Sequence, residues 1–406
     1  MPREPRSALG AIDLRRDLPG LGAALVAVLG LGALAGRSEP AEAFPWMIHH
    51  GYTSCAQCHV DPSGAGVLTA YGRAQGEILL RTHYEGAVPE NPGKVKDFLF
   101  GAVPLPEVLA LQADVRGLVI PDPANIQAIL MQSDLRGAVQ TKHVSVSASL
   151  GAVSRGAEQS WVTSGPDWNL VSREYWVGVS PVKAVTIRAG RMNLPYGIRT
   201  EDHILDVRGA TRTTINDEQQ TGLSLFYNSR KWRAEVMGIA GNFQLRPDSF
   251  RDRGYSLYLA FAPETTVELG VSSLFTTAST DLLSLGPRTR MSEGVFARWA
   301  PVPELAVMAE GDLLLDNQDG TAATGFVSTA ILDYEPVQGL HFQAIGEQCD
   351  DNFGDTAGSS ITGTAAAQWF FAPHADLRVD GGFGTVYCTP GVSGSPFGLV
   401  QAHFYL

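Results

Sequence analysis

The sequence predicts a mainly β fold, namely a transmembrane antiparallel β-barrel of about sixteen strands preceded by a small helical module. From residue 107 to the end, segments of about ten residues alternate apolar residues with polar or small ones, as in residues 255–261. The connections between these segments are alternately short and long, and the last segment, residues 400–406, keeps the alternation. These three observations are typical of a bacterial outer-membrane barrel.

The strand count comes from the alternating segments and the turn residues between them. Connections after even-numbered strands are tight, such as residues 262–264 and 372–374, and those after odd-numbered strands are long, such as residues 198–217. Both barrel ends then lie at the short-turn, periplasmic side, where we expect the N-terminal module to hang. The predicted strands begin near residues 107, 126, 143, 169, 184, 219, 232, 254, 265, 290, 304, 324, 339, 360, 375 and 396.

A soluble β-sandwich or a propeller is the alternative architecture. A sandwich also hides one face of each strand, so alternation alone does not exclude it. A propeller would repeat at a fixed period, and the sequence shows no such repeat. The last residue, Leu406, departs from the terminal aromatic that is usual for outer-membrane barrels.

The N-terminus has the features of an export signal. Residues 21–36 form an apolar run, and Ala41-Glu42-Ala43 is a cleavage pattern, which predicts a signal peptide over residues 1–43 and a mature start at Phe44. An uncleaved anchor is the alternative, but the run is shorter than the ~20 residues that a spanning helix needs. The basic residues that precede the run are Arg3, Arg6, Arg15 and Arg16.

Composition limits the partners of this 406-residue chain. Its formal net charge is −12, which argues against nucleic acid as a partner because binding it requires a basic face. Of the four cysteines, Cys349 and Cys388 form either a disulfide or two free thiols, with a disulfide consistent with an oxidising compartment.

The residues Cys55-Ala56-Gln57-Cys58-His59 match the attachment signature of a c-type haem. Two thiols on one short turn can bond two haem vinyl groups, and the adjacent imidazole then binds the iron as proximal ligand. A zinc site would need further ligands nearby, but the other cysteines are remote. A thioredoxin-like redox pair would need a βαβ context, which is absent from the sequence pattern. We therefore expect one covalently bound haem c.

The helical c-type haem module is predicted over residues 44–84, followed by a linker over residues 85–106 and the barrel over residues 107–406. Apolar residues at helical spacing within residues 66–82 are expected to cover one haem face, and Gly72 and Gly76 would let the ring approach the backbone. The sixth iron ligand is left open, with His50 or His83 as the first candidates. Other neighbours in the sequence or in predicted short turns are Met47, His49, His143 and His374.

The longest connection, residues 198–217, is predicted to fold inward and to narrow the lumen through its opposite charges, although an exposed loop is the alternative. No catalytic constellation is recognisable, so we do not expect an enzyme. The polar wall residues expected to face the lumen are Arg188, Arg233, Glu235, Arg298, Asp376, Arg378 and Asp380.

The chain resembles a family of proteobacterial proteins in which a monohaem c-type cytochrome module is fused to an outer-membrane porin. The likeness lies in the haem signature with Gly51-Tyr52 before it and in the Gly190–Gly197 stretch of the barrel. It also includes the residues that follow the signature, Pro62, Gly64, Gly66, Leu68, Thr69, Tyr71, Gly72 and Arg73. The resemblance implies haem binding and electron transfer in the cell envelope.

The leading functional hypothesis is an outer-membrane porin-cytochrome whose haem sits at the periplasmic mouth. Its partners would be periplasmic electron-transfer proteins or a redox partner in the lumen, together with outer-membrane lipid, and oligomerisation is left open. A second hypothesis is a solute porin in which haem is a plug, redox sensor or structural element. A third is a soluble periplasmic haem enzyme on a β-scaffold.

Overall fold

A computed structural model describes residues 44–84, 98–99, 102–121, 126–154, 168–202, 204–215, 218–241, 252–281, 284–355, 359–385 and 394–406. The predicted signal peptide and most of the predicted linker lie outside the described residues. Residues Glu39–Leu406 form one compact unit. Among the described residues, none of the helices is long and apolar enough to cross a membrane.

Within the described ranges, seventeen strands form a single antiparallel sheet. They are β1 Leu109–Pro121, β2 Ile126–Gln140, β3 Val144–Ser154, β4 Trp168–Val171, β5 Tyr175–Val182, β6 Val185–Met192, β7 Gln220–Asn228, β8 Trp232–Gly241, β9 Arg253–Glu264, β10 Val267–Ala278, β11 Arg288–Val302, β12 Leu305–Gln318, β13 Thr321–Val337, β14 Leu340–Asp350, β15 Ser359–Ala372, β16 Ala375–Gly384 and β17 Ser395–Tyr405.

The sheet closes into a barrel of sixteen wall strands. Strand β1 pairs with both β2 and β17, which closes the barrel. Strands β4 and β5 both pair with β3, one beyond the other, so they form one wall strand interrupted at residues 172–174. The predicted strand count is therefore confirmed, and every predicted start lies within three residues of an observed one.

The connections follow the predicted parity, with two exceptions, one of which is the four-residue connection between β1 and β2. Tight turns join β2 to β3, β7 to β8 and the corresponding later pairs, and most connections at the opposite end are longer. Residues 319–320, however, join β12 to β13 by two residues at the long-loop end. Asp319 and Gly320 both have positive φ, which such a tight turn requires.

The outer surface of the barrel is apolar. Leu223 is 60% exposed and Val295 is 64% exposed, whereas the side chains that alternate with them along their strands are buried. A band of exposed aromatic side chains lies at the short-turn ends of the strands, as in the interfacial girdles of membrane barrels. Its members are Trp232, Trp299, Tyr334, Phe342, Trp369 and Phe404.

The N-terminal module consists of short helical pieces. They are a 3-10 helix at Pro45–His50, a 3-10 turn at Cys55–Gln57, an α-helix at Ala70–Gln75 and a π-helical turn at Gly76–Leu80. The side chain of Thr69 caps the α-helix by accepting a hydrogen bond from the Gly72 N–H at 3.1 Å.

The expectation that this module hangs below the barrel is wrong, because it lies inside the lumen. Arg298 on β11 donates to the Thr53 carbonyl at 2.9 Å, and Gln338 donates to the Ile78 carbonyl at 2.7 Å. The Thr82 N–H donates to the Phe370 carbonyl at 2.9 Å. A segment this short cannot bury enough apolar surface alone, so it completes its core against the barrel wall.

Candidate haem-binding site

The haem signature forms one tight turn. The N–H groups of Cys58 and His59 both donate to the Cys55 carbonyl, at 3.3 and 3.1 Å. The chain then reverses, and His59 pairs with Leu68 in an isolated antiparallel bridge. Cys55 and Cys58 are not joined by a disulfide bond in this structure. The turn therefore presents two thiols and one imidazole from five consecutive residues, as the sequence predicts.

Glycines allow the helix to approach this turn closely. A Cβ on Gly72 would lie 2.8 Å from the Cys58 Cα and would also collide with the Cys58 carbonyl. Gly64 has a positive φ, and a Cβ there would lie 3.0 Å from the Cys55 Sγ. The sequence predicts that Gly72 lets a haem ring approach the backbone, and this stays a prediction. In this structure the close neighbour of Gly72 is the Cys55–Cys58 turn itself.

A cavity of about 1010 Å³, part of it open to solvent, lies beside the turn. Cys55, Cys58 and His59 all line it. The module also lines the cavity with four residues that follow one another at intervals of four positions: Leu68, Gly72, Gly76 and Leu80. The predicted apolar stripe is thus only partly right, since Tyr71 is 40% exposed and the glycines face the cavity.

The barrel contributes a charged wall that the sequence analysis missed. Strands β1 and β2 each carry the pattern Gln-x-Asp-x-Arg, at residues 112–116 and 132–136, and the antiparallel register places Gln112 opposite Arg136 and Arg116 opposite Gln132. This repeated pattern was visible in the sequence. The wall side chains that line the cavity are Gln112, Asp114, Arg116, Gln132, Arg136, His403 and Tyr405.

Several charges of this wall are paired, whereas Arg116 donates to the Glu201 carbonyl at 3.4 Å. Arg136 lies 3.1 Å from Asp134, and both ring nitrogens of His403 contact carboxylates, Asp114 at 2.8 Å and Asp376 at 3.1 Å. Arg199, which also lines the cavity, donates to Glu235 at 3.1 Å. The cavity thus has an apolar side from the module and a side of buried arginines from the wall and Arg199.

Burial sets the protonation of the attachment residues. It lowers the pKa of His59 to about 4, and backbone carbonyls of Gly66 and Ala65 oppose this only in part. The imidazole is therefore neutral near pH 7, as a metal ligand must be. Burial also raises the pKa of the Cys55 thiol, so it is protonated.

The two predicted candidates for the sixth ligand are not brought to the cavity. His50 Nε2 lies 3.2 Å from Glu335, and His83 Nε2 lies 3.0 Å from the Glu77 carbonyl. Neither is among the described residues that line the cavity. His50 is held away from the cavity by a wall carboxylate, whereas the contact of His83 lies within the module itself. His374 lies closer, with its ring 3.4 Å from the Cβ position of the cavity residue Gly76.

The predicted inward fold of the long connection is confirmed. Ile198 N–H donates to Glu310 at 2.7 Å, and Arg208 pairs with the same carboxylate. Asp202 binds Arg378 across the lumen at 2.7 Å. Its residues Arg199, Glu201 and Ile215 line the cavity, so the loop lies over the module. His203, Asn216 and Asp217 lie outside the described residues.

The wall residues predicted to face the lumen are all buried. Arg188 contacts Asp61 of the module and Glu235, and Arg233 contacts Glu268. Their burial comes from the module and the inward loop, whereas the sequence analysis expected a hydrated lumen. The exposed fraction is 8% or less for Arg188, Arg233, Glu235, Arg298, Asp376, Arg378 and Asp380. Cys349 is disulfide-bonded, and Cys388 lies outside the described residues.

Comparison with known proteins places the barrel in a structural class. No protein-family model matches the chain, and no curated protein matches it. Solved structures do match. An outer-membrane protein of Vibrio cholerae, OmpT with loop L8 deleted, has a TM-score of 0.58 at 9% identity, covering 73% of this chain and 99% of that one.

Two porins give the same picture. The anion-selective porin from Comamonas acidovorans has a TM-score of 0.54 at 12% identity, covering 73% of this chain and 98% of that one. Salmonella typhi OmpF, solved in complex with daunomycin, has a TM-score of 0.53 at 11% identity, covering 73% and 97%. At such identities the likeness defines the fold alone. This chain has the sixteen-stranded barrel fold of outer-membrane porins.

Proposed function

We propose that this chain is an outer-membrane electron-transfer protein that holds one covalent haem c inside its barrel. Cys55 and Cys58 would form the thioether bonds, and His59 would bind the iron. The observation that carries the proposal is that these three side chains line one cavity of about 1010 Å³. When bound, the haem would supply one-electron redox chemistry.

The chain's own residues fit this group. Leu68, Leu80 and the glycine face of the helix offer an apolar surface for a flat ring, and Gly72 lets the helix pass directly over the attachment turn. Arg116, Arg136 and Arg199 line the same cavity and are suited to binding carboxylates. The neutral His59 imidazole presents a lone pair.

The outer-membrane location is supported by the exterior of the barrel. The apolar outer face with its aromatic band suits lipid, and the structures to which the chain is similar come from outer-membrane proteins. A haem inside the lumen would divide a hydrocarbon layer of ~30 Å into two shorter steps. A donor on one side and an acceptor on the other would then each need to cover only part of that distance.

Electron transfer is favoured over solute passage by the burial of the lumen wall. In an open pore the inward charges contact water, whereas Arg188 is 0% exposed and Glu235 is 1% exposed. Module and loop atoms contact these side chains instead. A solute porin would conduct ions through an open lumen, whereas the packing of the module and the loop against the wall obstructs that lumen.

The first test is haem attachment. Purified full-length protein should show haem stain on a denaturing gel and a c-type absorption spectrum, and Cys58→Ser should lose both. Ala56→Ser is the matched control, since it changes the same turn without touching the three attachment residues, and it should keep both signals. A Cys58→Ser protein that retains full haem stain would refute the assignment.

The second test distinguishes a haem that transfers electrons from a haem that plugs or gates a solute porin. We expect ascorbate to reduce the haem and ferricyanide to reoxidise it, while conductance in a planar bilayer stays low in both states. A large conductance that switches with haem redox state would instead support the solute porin. A haem that neither reagent reaches would contradict a role in electron transfer.

A further inference from the structure

A second cluster of metal-binding side chains lies in the lumen, apart from the haem cavity. His49 and His50 end the 3-10 helix of the module, and Glu335 projects from β13 of the wall. The ligand atoms of these three residues all lie within 4.8 Å of one another. None of the three lines the cavity of the haem signature.

The distances suit one small ion. His49 Nε2 lies 3.5 Å from a Glu335 oxygen, and His50 Nε2 lies 3.2 Å from the same oxygen. An ion with ligand distances of about 2.1 Å in tetrahedral geometry separates its ligands by roughly 3.4 Å. The observed separations match this value, so the side chains need little rearrangement to enclose an ion.

The state of His49 is the second observation. Its side chain is fully buried. Among the described residues Nδ1 has no hydrogen-bond partner, and Nε2 has only the long 3.5 Å contact with Glu335. A buried polar group without a partner costs about 1–3 kcal/mol, so such groups are rare unless something binds them. The ring stands beside that of His50, with centroids 4.1 Å apart, and both face Glu335.

Surrounding residues hold the carboxylate in position. Gly339 N–H donates to the second oxygen of Glu335 at 2.7 Å. His341 lies 3.5 Å from that oxygen, and its other nitrogen contacts Asp333 at 2.9 Å. In metal sites a ligating carboxylate is usually held by hydrogen bonds from the surrounding residues, as the Gly339 N–H holds Glu335 here.

We propose that His49, His50 and Glu335 bind a divalent first-row transition-metal ion of the zinc class, with His341 and Asp333 as positioning residues. Two imidazoles and one carboxylate are a known zinc ligand set that leaves one position open. The His50 side chain is 22% exposed, which gives the ion a route of entry. Because two ligands belong to the module and one to the wall, the ion would fasten the module inside the barrel.

The test is a titration with Zn²⁺ alone. Full-length protein in detergent, free of any polyhistidine tag, is stripped with a chelator and treated with iodoacetamide. If haem is attached, the thiols are already consumed, and if it is not, alkylation removes them as competing ligands. The outcome is therefore independent of the proposed haem function. We expect one equivalent of zinc at micromolar affinity, and visible d–d bands when Co²⁺ replaces it.

Variants decide whether this site binds the ion. His49→Asn and His50→Ala should each weaken zinc binding at least tenfold and remove the Co²⁺ bands. His143→Asn is the matched control, since His143 is an exposed histidine at a short turn of the same barrel end, and it should bind normally. His50→Ala keeps the test valid if the buried His49 variant fails to fold. Absence of micromolar binding, or binding unchanged in His50→Ala, would overturn the proposal.

Discussion

At the scale of single residues, Gly72 controls how closely the helix can pack against the Cys55–Cys58 turn. A methyl group added at Gly72 would push the two apart. The Cβ of Gly72→Ala would meet backbone atoms of Cys58, which cannot rotate away as a side chain would. We expect overpacking of about 1–3 kcal/mol and a clear loss of attached haem. The measurements are haem content per protein and thermal unfolding.

A matched control exists for this substitution. A Cβ on Gly346 of β14 would meet nothing within 4 Å, so Gly346→Ala should leave haem content and stability near the unaltered protein. Equal haem content in both variants would show that the helix is not held against the turn as described.

At the scale of elements, the inward loop is anchored by Glu310 on β12. This carboxylate accepts hydrogen bonds from Ile198 N–H and Arg208, whose guanidinium is almost fully buried. Glu310→Gln would leave that cation without a charged partner, which costs about 3–5 kcal/mol when a buried pair is broken. We expect a lower free energy of unfolding. The measurement is unfolding in urea, monitored by tryptophan fluorescence.

The control for the loop anchor is Glu304→Gln. Glu304 is an exposed residue of the short turn between β11 and β12, so the same chemical change there should alter stability by less than about 1 kcal/mol. If the two variants unfold alike, Glu310 does not anchor the loop.

Elements are also where sequence and structure agree most. The period of two in the strands reflects one lipid face and one inner face, so residues such as Arg233 and Glu235 could be assigned to the lumen directly. The haem signature is equally local, because Cys55, Cys58 and His59 need only one turn. The wall strands, and the turn that brings Cys55, Cys58 and His59 together, were therefore predictable without tertiary contacts.

The remaining features depend on which parts of the chain meet. His50 was a reasonable iron ligand by sequence distance, but a wall carboxylate from β13, nearly three hundred residues later, holds it elsewhere. Entry of the module into the lumen has no local signature either, since it depends on contacts such as Arg188 with Asp61. The repeated Gln-x-Asp-x-Arg pattern could have indicated a charged wall formed by β1 and β2. The sequence did not indicate that the module would pack against this wall.

At the scale of the whole molecule, the wall and the module make separable contributions. The barrel closes through backbone pairing of β1 with β17, which does not involve residues 44–84. The inner charges pair largely among wall residues, as Arg233 and Arg298 both do with Glu268. A chain lacking residues 44–84 should therefore still close into a barrel and keep heat-modifiable migration on gels.

Removing the module should change the lumen rather than the wall. Side chains such as Arg188 and Arg298, which now contact module atoms, would face water, and the space beneath the inward loop would open. We expect a single-channel conductance in planar bilayers several times that of the full-length protein, with the full-length protein as the reference in the same membrane. Equal conductance would mean that the module does not obstruct the lumen, and the argument from buried charges against solute passage would then fail with it.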